Sequence, residues 1–340
     1  MPIKFIGTQK EKEKIMSWTE SLSRILYQIP NKPSRVQMEV NNACNLDCVM
    51  CPRHELPVEL EEMDTTVFKA SIDQICKFGI KQVDIGGWGE VTYHKDFVEI
   101  IRYATAKGLE ISMTTNGLLL KKEKLQVLLD EGVKNLTFSI DSLERRKGDF
   151  SGHINSPSIK NLERILSFKA EYELNIKVNT LIQKANKHET LELLDFMSNL
   201  GVDMVVLFGP NVARDNEQLR IPYSAEYKLY SYIEEQATSK RWNCIVTTPL
   251  GRYRAGLRKY YFQQGSKCPQ TWESIYLNRH GQVTPCTLLP DLVIAELDEY
   301  DSLEELWTSK KFKDFRRNQE VICNGCDALK FKPHDAGAHQ

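Results

Sequence analysis

Between residues 36 and 210, β-like segments alternate strictly with amphipathic ones. The strand candidates are 36–40, 82–86, 110–114, 135–140, 176–181 and 204–208. Between them apolar residues recur at helical spacing: Val67, Phe68, Ile72 and Ile75, then Phe97, Ile100 and Ile101, then Leu125, Leu128 and Leu129. Gly108, Gly132 and Gly201 stand just before strands, where helix C-terminal glycines belong. This alternation predicts an α/β fold with a parallel sheet and right-handed crossovers. Six units occupy about 175 residues, against about 250 for a closed eight-unit barrel. A partial (β/α)6 TIM-like barrel fits that length better than a closed one, with a doubly wound open sheet as the other arrangement. Either way, ligands bind at the C-terminal ends of the strands.

A helical leader is expected over 1–34, the barrel over 35–210 and a bridging segment over 211–265. A small α+β domain at 266–330 and a tail at 331–340 follow. Within that small domain, 274–286 reads as two short strands around a turn at His280–Gly281, and 303–316 reads as a helix. Lys+Arg of 45 against Asp+Glu of 46 leaves a formal charge of -1, so no basic excess points to nucleic acid or an anionic membrane. No apolar run approaches the roughly 18 residues of a membrane span, and the N-terminus lacks the apolar core of a signal peptide. A cytoplasmic protein is the expectation.

In a reducing cytosol the nine cysteines point to metal binding or catalysis, not to disulfides. Seven fall into two groups: Cys44, Cys48 and Cys51, then Cys268, Cys286, Cys323 and Cys326. The first three follow the first strand with CxxxCxxC spacing. Three thiolates hold three corners of a cubane iron–sulfur cluster, which otherwise takes four, and leave one iron open. A structural zinc site completed by His54 is the alternative. Asp84-Ile-Gly-Gly-Trp-Gly-Glu90 ends the second strand, where glycines allow close backbone approach and a carboxylate suits an ammonium. Thr114-Thr115-Asn116-Gly117 ends the third, Ser139-Ile-Asp141 the fourth, and Val178-Asn179-Thr180 lies on the fifth.

Taken in order, these motifs resemble the radical S-adenosylmethionine (radical SAM) superfamily, including a hydrophobic Met50 before the last cysteine. Val91 replaces the proline usual after the Glu. The resemblance implies a [4Fe-4S] cluster on Cys44, Cys48 and Cys51 that binds S-adenosylmethionine (SAM). It assigns cofactor contacts to Met50, Gly86, Gly87, Gly89, Glu90, Asn116, Ser139, Asp141 and Asn179, and to backbone around Leu207. The chemistry implied is reductive cleavage of SAM to a 5′-deoxyadenosyl radical that abstracts hydrogen from a C–H bond. An external electron donor such as flavodoxin or ferredoxin would supply the electron.

The second group resembles the twitch (shortened SPASM) extension of this superfamily, which implies an auxiliary [4Fe-4S] cluster on Cys268, Cys286, Cys323 and Cys326. Four thiolates in two pairs also suit tetrahedral zinc. Full ligation would leave no iron free for direct substrate binding, and such a cluster could accept the electron left on a substrate radical. The spacing is similar to that of the aminocyclitol dehydrogenase of butirosin biosynthesis, which oxidises a secondary alcohol. The leading expectation is therefore dehydrogenation of a small polar metabolite, a sugar or aminocyclitol. Epimerisation or crosslinking of a ribosomal peptide is the runner-up, since the leader is too short for the added peptide-binding domain of many such enzymes. Cys244 is a candidate hydrogen donor for epimerisation, although a free cysteine in a strand is commonly a small buried hydrophobe. Cys76 shares a helical face with Ile72 and Ile75 and reads as core. His94 follows the glycine-rich loop and reads as an ordinary loop histidine. Arg252, Tyr253, Arg254, Arg258 and Lys259 read as a solvated helix face.

Overall fold

The computed structural model describes residues 32–55, 59–143, 156–210, 217–251, 268, 270–289, 292–323 and 326. Most of the leader, the tail, and the stretch from Arg252 to Lys259 lie outside the described residues. The six expected strands form as β1 (Arg35–Met38), β2 (Gln82–Ile85), β3 (Glu110–Thr115), β4 (Asn135–Ser139), β5 (Asn175–Leu181) and β6 (Met204–Phe208). Four more join them: β7 (Ile245–Thr247), β8 (Ser274–Leu277), β9 (Gln282–Thr284) and β10 (Ala295–Glu296).

All ten lie in one sheet, in the order β10-β9-β8-β1-β2-β3-β4-β5-β6-β7. From β1 to β7 each strand lies parallel beside its predecessor. Right-handed crossovers that always step the same way keep their helices on one face. A doubly wound sheet would reverse its order near the middle, and this one does not. The curl is that of a partial barrel, with β7 and β10 at its two unpaired ends.

Strand parity divides the sheet. Val36 and Met38, Val83 and Ile85, Ile111 and Met113, Leu136 and Phe138, Ile176 and Val178, and Val205 and Leu207 are buried in one core. That core includes Phe68, Ile72 and Ile75 of the helix Thr65–Lys77, and Phe97, Ile100 and Ala104 of Phe97–Ala106. Leu125 and Leu128 of Lys122–Asp130 and Leu194 and Met197 of Thr190–Leu200 complete it on the same side. Two helix starts carry side-chain caps: Asp64 accepts from Thr66 N, and Ser156 accepts from Ile159 N ahead of the helix Pro157–Leu166. Gly108, Gly132 and Gly201 all take the left-handed backbone that ends such helices. The opposite parity is half-buried and more polar, with Asp84, Thr114, Ser139 and Asn179 among its members.

One expectation changes and one pairing is added. The C-terminal unit joins the barrel's sheet, because β8 pairs in parallel with β1, Arg35 opposite Ser274 through Met38 opposite Leu277. The expected helix over 303–316 is two helices, Leu303–Thr308 and Lys310–Arg317. Ser309 breaks it by turning extended and accepting from Phe312 N at 3.2 Å, so it caps the second helix. The turn at His280–Gly281 forms between antiparallel β8 and β9, and the bridging segment supplies the helix Tyr223–Thr238. Among the described residues no helix is long and apolar enough to cross a membrane.

Candidate active site

A pocket opens at the C-terminal ends of β1 to β6. Cys44, Cys48, Met50 and Cys51 enter it from the loop after β1, and Gly87, Gly89 and Glu90 from the loop after β2. Asn116 follows β3, Ser139 and Asp141 end β4, and Asn179 lies on β5 opposite Ser139. The structure thus brings the residues singled out in the sequence to one cavity, except Gly86 and Leu207.

The cysteine loop is built on backbone bonds. Its two legs are tied by Asn42, whose Oδ1 accepts from Glu61 N at 2.7 Å and whose Nδ2 donates to Glu59 O at 2.9 Å. A turn in which Cys51 N donates to Cys48 O at 2.9 Å separates those two thiols. Arg53 reaches back to Leu46 O at 2.8 Å. His54 is exposed and its Nε2 lies 3.1 Å from Cys48 O, so the ring is engaged with the backbone.

Glu90 is buried and already aimed. Its Oε1 accepts from Thr92 N at 3.1 Å, from Thr92 Oγ1 at 2.5 Å and from Thr115 Oγ1 at 2.6 Å. Its Oε2 accepts only from Asn116 N, at 2.6 Å, among the contacts found, so acceptor capacity is left on that oxygen. Asn116 Nδ2 donates to Asn45 Oδ1 at 2.9 Å and approaches Cys44 Sγ at 3.7 Å, which joins the β3 end to the cysteine loop. Asp141 Oδ1 accepts from Leu181 N at 2.7 Å, so its position follows from β5.

The glycines answer to the protein as much as to a ligand. A Cβ on Gly89 would fall 1.8 Å from Asn41 Oδ1, and one on Gly87 2.7 Å from Glu39 Cγ. The loop after β2 therefore lies directly on the end of β1. Gly86 sits outside the pocket lining, where a Cβ would meet only Thr114 Cβ at an ordinary 3.5 Å.

Sequence reasoning missed Leu46, Leu181 and Phe208, which line the pocket with Thr114 and Thr115 of the quoted strand-end motif. Parity was the available signal for two of them. Leu181 shares a face with Asn179, and Phe208 is the neighbour of Leu207 that turns the other way. Leu207 itself is buried in the helix-side core. Cys244 is also misplaced as a hydrogen donor. It precedes β7, whose Ile245 pairs with Met204 at the start of β6, so it stands at the end of the sheet opposite the pocket. Burial raises its thiol pKa, with Ser198 as a hydrogen-bond partner. His94 is buried, with Nε2 3.0 Å from Met63 O and Nδ1 accepting from Asp96 N at 3.1 Å, so it holds a loop together. Cys76 packs against the core, as read.

The donor set suits an iron–sulfur cluster with SAM. Burial pushes Cys48 up to about 12, helped by the negative charges of Asp141, Cys51 and Cys44, and Cys44 is also raised, chiefly by burial. Three half-buried thiols beside the carboxylates of Glu90 and Asp141 make a site that favours positive charge, which an iron core and a sulfonium with its ammonium both supply. Among the described residues no three His, Cys, Asp or Glu side chains close on a single metal ion. Cys44, Cys48 and Cys51 do line one pocket, as three thiols that would share a cubane cluster must.

At the C-terminal unit, Cys268 precedes the short helix Gln270–Glu273 and Cys286 follows β9. Cys323 and Cys326 end the chain's last described turn, where Cys326 N donates to Cys323 O at 3.1 Å. The four thiols are close enough to feel one another. Burial, then the charges of Cys268, Cys326 and Cys323, push Cys286 up to about 12, and burial with Cys326 and Cys268 pushes Cys323 to about 11.

Comparison with known proteins agrees with this geometry. Residues 38–197 match the radical SAM superfamily, and residues 268–327 match SPASM, an iron-sulfur cluster-binding domain. PqqA peptide cyclase of Rhodopseudomonas palustris is 25% identical over 90% of this chain and 81% of its own length. The tungsten-containing aldehyde ferredoxin oxidoreductase cofactor-modifying protein of Pyrococcus furiosus is 31% identical, with 82% of each chain covered. Streptococcus suis SuiB, solved with S-adenosylmethionine, superposes with a TM-score of 0.68 at 17% identity over 97% of this chain and 79% of SuiB. The protein belongs to the radical SAM superfamily, carrying a [4Fe-4S] cluster with SAM and a C-terminal SPASM-type iron–sulfur domain.

Proposed function

We propose that this radical SAM enzyme modifies a peptide, closing a crosslink or ring or inverting a stereocentre. The observation that carries the reading is end-to-end similarity to PqqA peptide cyclase, over 90% of the chain, in a protein with both thiol groups. The fold of SuiB bound to its precursor peptide SuiA, matched at a TM-score of 0.67, supports the same reading. It displaces dehydrogenation of a small sugar-like metabolite as the leading expectation.

In this reading Cys44, Cys48 and Cys51 hold three corners of the first cluster and leave one iron for SAM. The bound group supplies one-electron chemistry able to take a hydrogen atom from an unactivated C–H bond. Glu90, prearranged by Thr92, Thr115 and Asn116, offers Oε2 to the cofactor's ammonium. Ser139, Asp141 and Asn179 present polar groups to the same pocket, and Leu181 and Phe208 add apolar surface to its lining. Cys268, Cys286, Cys323 and Cys326 would hold the auxiliary cluster, which would supply an electron-accepting group for an oxidative outcome.

Anaerobic incubation with reductant, SAM and synthetic peptides matching the short open reading frames that adjoin its gene tests the reading. A crosslink removes two hydrogens from the peptide, whereas epimerisation keeps its mass and draws deuterium from solvent. The reading is overturned by an untouched peptide together with a hydroxylated metabolite that loses two hydrogens under the same conditions.

A further inference from the structure

Glu39 directly follows β1 and is fully buried, yet it does not line the pocket. A buried carboxylate is costly unless it is paired and hydrogen-bonded. Its partners come from the C-terminal unit. Tyr276 of β8, itself fully buried, donates to Glu39 Oε2 at 2.7 Å, and Arg279 Nη1 donates to Oε1 at 3.2 Å. Arg279 Nε donates in turn to Glu61 Oε2 at 2.7 Å. Glu39 and Glu61 lie on the outgoing and returning legs that flank the cysteine loop, so one guanidinium holds both.

The other side of Glu39 faces the cofactor pocket's wall. Its Cγ lies 2.7 Å from where a Gly87 Cβ would be, and Trp88 N lies 3.5 Å from its Oε2. The hairpin reaches the second thiol group too. Thr284 of β9 pairs opposite Tyr276, and Cys286 follows two residues later. A single chain of contacts therefore runs from the auxiliary thiols, through Tyr276 and Arg279 to Glu39, and ends at the Gly87–Glu90 wall.

We propose that Glu39, held by Tyr276 and Arg279, is a positioning residue through which the C-terminal iron–sulfur domain sets the shape of the SAM pocket. It does not touch SAM or substrate. Filling the auxiliary site steadies the hairpin, the hairpin steadies Glu39, and Glu39 steadies the glycine wall and the cysteine loop. The two sites are then linked in binding free energy, and the linkage is reciprocal. This inference concerns the cofactor and stands whether or not the substrate is a peptide.

Tyr276→Phe removes one oxygen and keeps the ion pair, so it is the deciding variant. SAM affinity is measured without turnover, by calorimetry on anaerobic holoenzyme, beside the electron paramagnetic resonance spectrum of the reduced first cluster with and without SAM. The expected result is about tenfold weaker SAM binding with unchanged iron content and an altered SAM-dependent spectral shift. Cys286→Ser should weaken SAM binding similarly, and the double variant should be no worse than either single one, because both act through one path. Wild-type SAM affinity in an iron-replete Tyr276→Phe protein overturns the proposal, and so does simple additivity. Should Cys286→Ser not fold, the single variant decides.

Discussion

At the scale of residues, the pocket depends on side chains that are satisfied before any ligand arrives. Glu90 gathers four donors, two of them backbone N–H groups, in a place closed to water. Glu90→Gln turns an amide toward donors that need an acceptor, so it should cost about 3 kcal/mol in urea unfolding as well as SAM affinity. A variant with unaltered unfolding would remove Glu90 from this structural role. Cys48→Ala removes one corner of the first cluster. Iron should fall from about eight to about four per chain, and 5′-deoxyadenosine should vanish from anaerobic assays. Continued production of that nucleoside would refute the ligand assignment. The residue types in this site were legible because their chemistry is local: thiols at CxxxCxxC spacing, a carboxylate closing a glycine run, polar groups at strand ends. The partners of Glu90 were not legible, since Thr115 lies 25 residues away and meets it only when β2 and β3 pair.

At the scale of elements, caps and parity govern what each segment does. Ser309 separates two helices in a stretch whose apolar spacing alone reads as one, because its hydroxyl competes for the Phe312 N–H. Ser309→Ala should lower stability by about 1 kcal/mol in thermal unfolding. Parity explains why Phe208, not Leu207, lines the pocket. The sequence marks the strand but leaves open which of its two faces meets the helices. Asp195, on the helix Thr190–Leu200, pins the turn before β7. Arg241 Nη2 donates to it at 2.6 Å and Trp242 Nε1 at 2.7 Å. The Arg241 hydrogen bond, then the Trp242 N–H and the Arg241 charge, hold its carboxyl below the usual range despite some burial. A depressed carboxylate contributes stability above its unfolded value of about 3.9 and loses it as pH falls through the folded value. Asp195→Asn should therefore flatten the loss of stability in acid below about pH 4, read as urea midpoint against pH. An unchanged acid limb would remove this pair from the pH dependence.

At the scale of the whole molecule, the C-terminal unit is part of the sheet. β8 covers the edge of β1, and β1 carries the cysteine loop at its end. Arg316 fastens this region further, donating to Thr271 O at 3.1 Å and Trp307 O at 2.8 Å while stacking 4.1 Å from the Trp307 ring. A chain ending at residue 250 would leave the hydrogen-bonding edge of β1 open, and such edges recruit other chains. It should elute as aggregate in size exclusion, where a soluble monomer would show that the barrel stands without β8. The sequence places a small α+β unit at 266–330 and reads its hairpin, yet says nothing of how that unit meets the barrel. Arg35 and Ser274 are paired across 239 positions, and no local pattern encodes a pairing at that distance.

What the sequence determined by itself was whatever short-range chemistry decides. Alternating apolar periods set the strands and helices, glycines set the helix ends, and thiol and carboxylate spacing set the kind of cofactor. What only the tertiary structure decided was which surfaces meet. That includes the face each strand turns to the pocket, the distance of Cys244 from it, and the burial of Glu39 between the glycine wall and Tyr276. Such contacts depend on the packing of segments far apart along the chain, where each candidate pairing has similar local energy and only the assembled core selects among them.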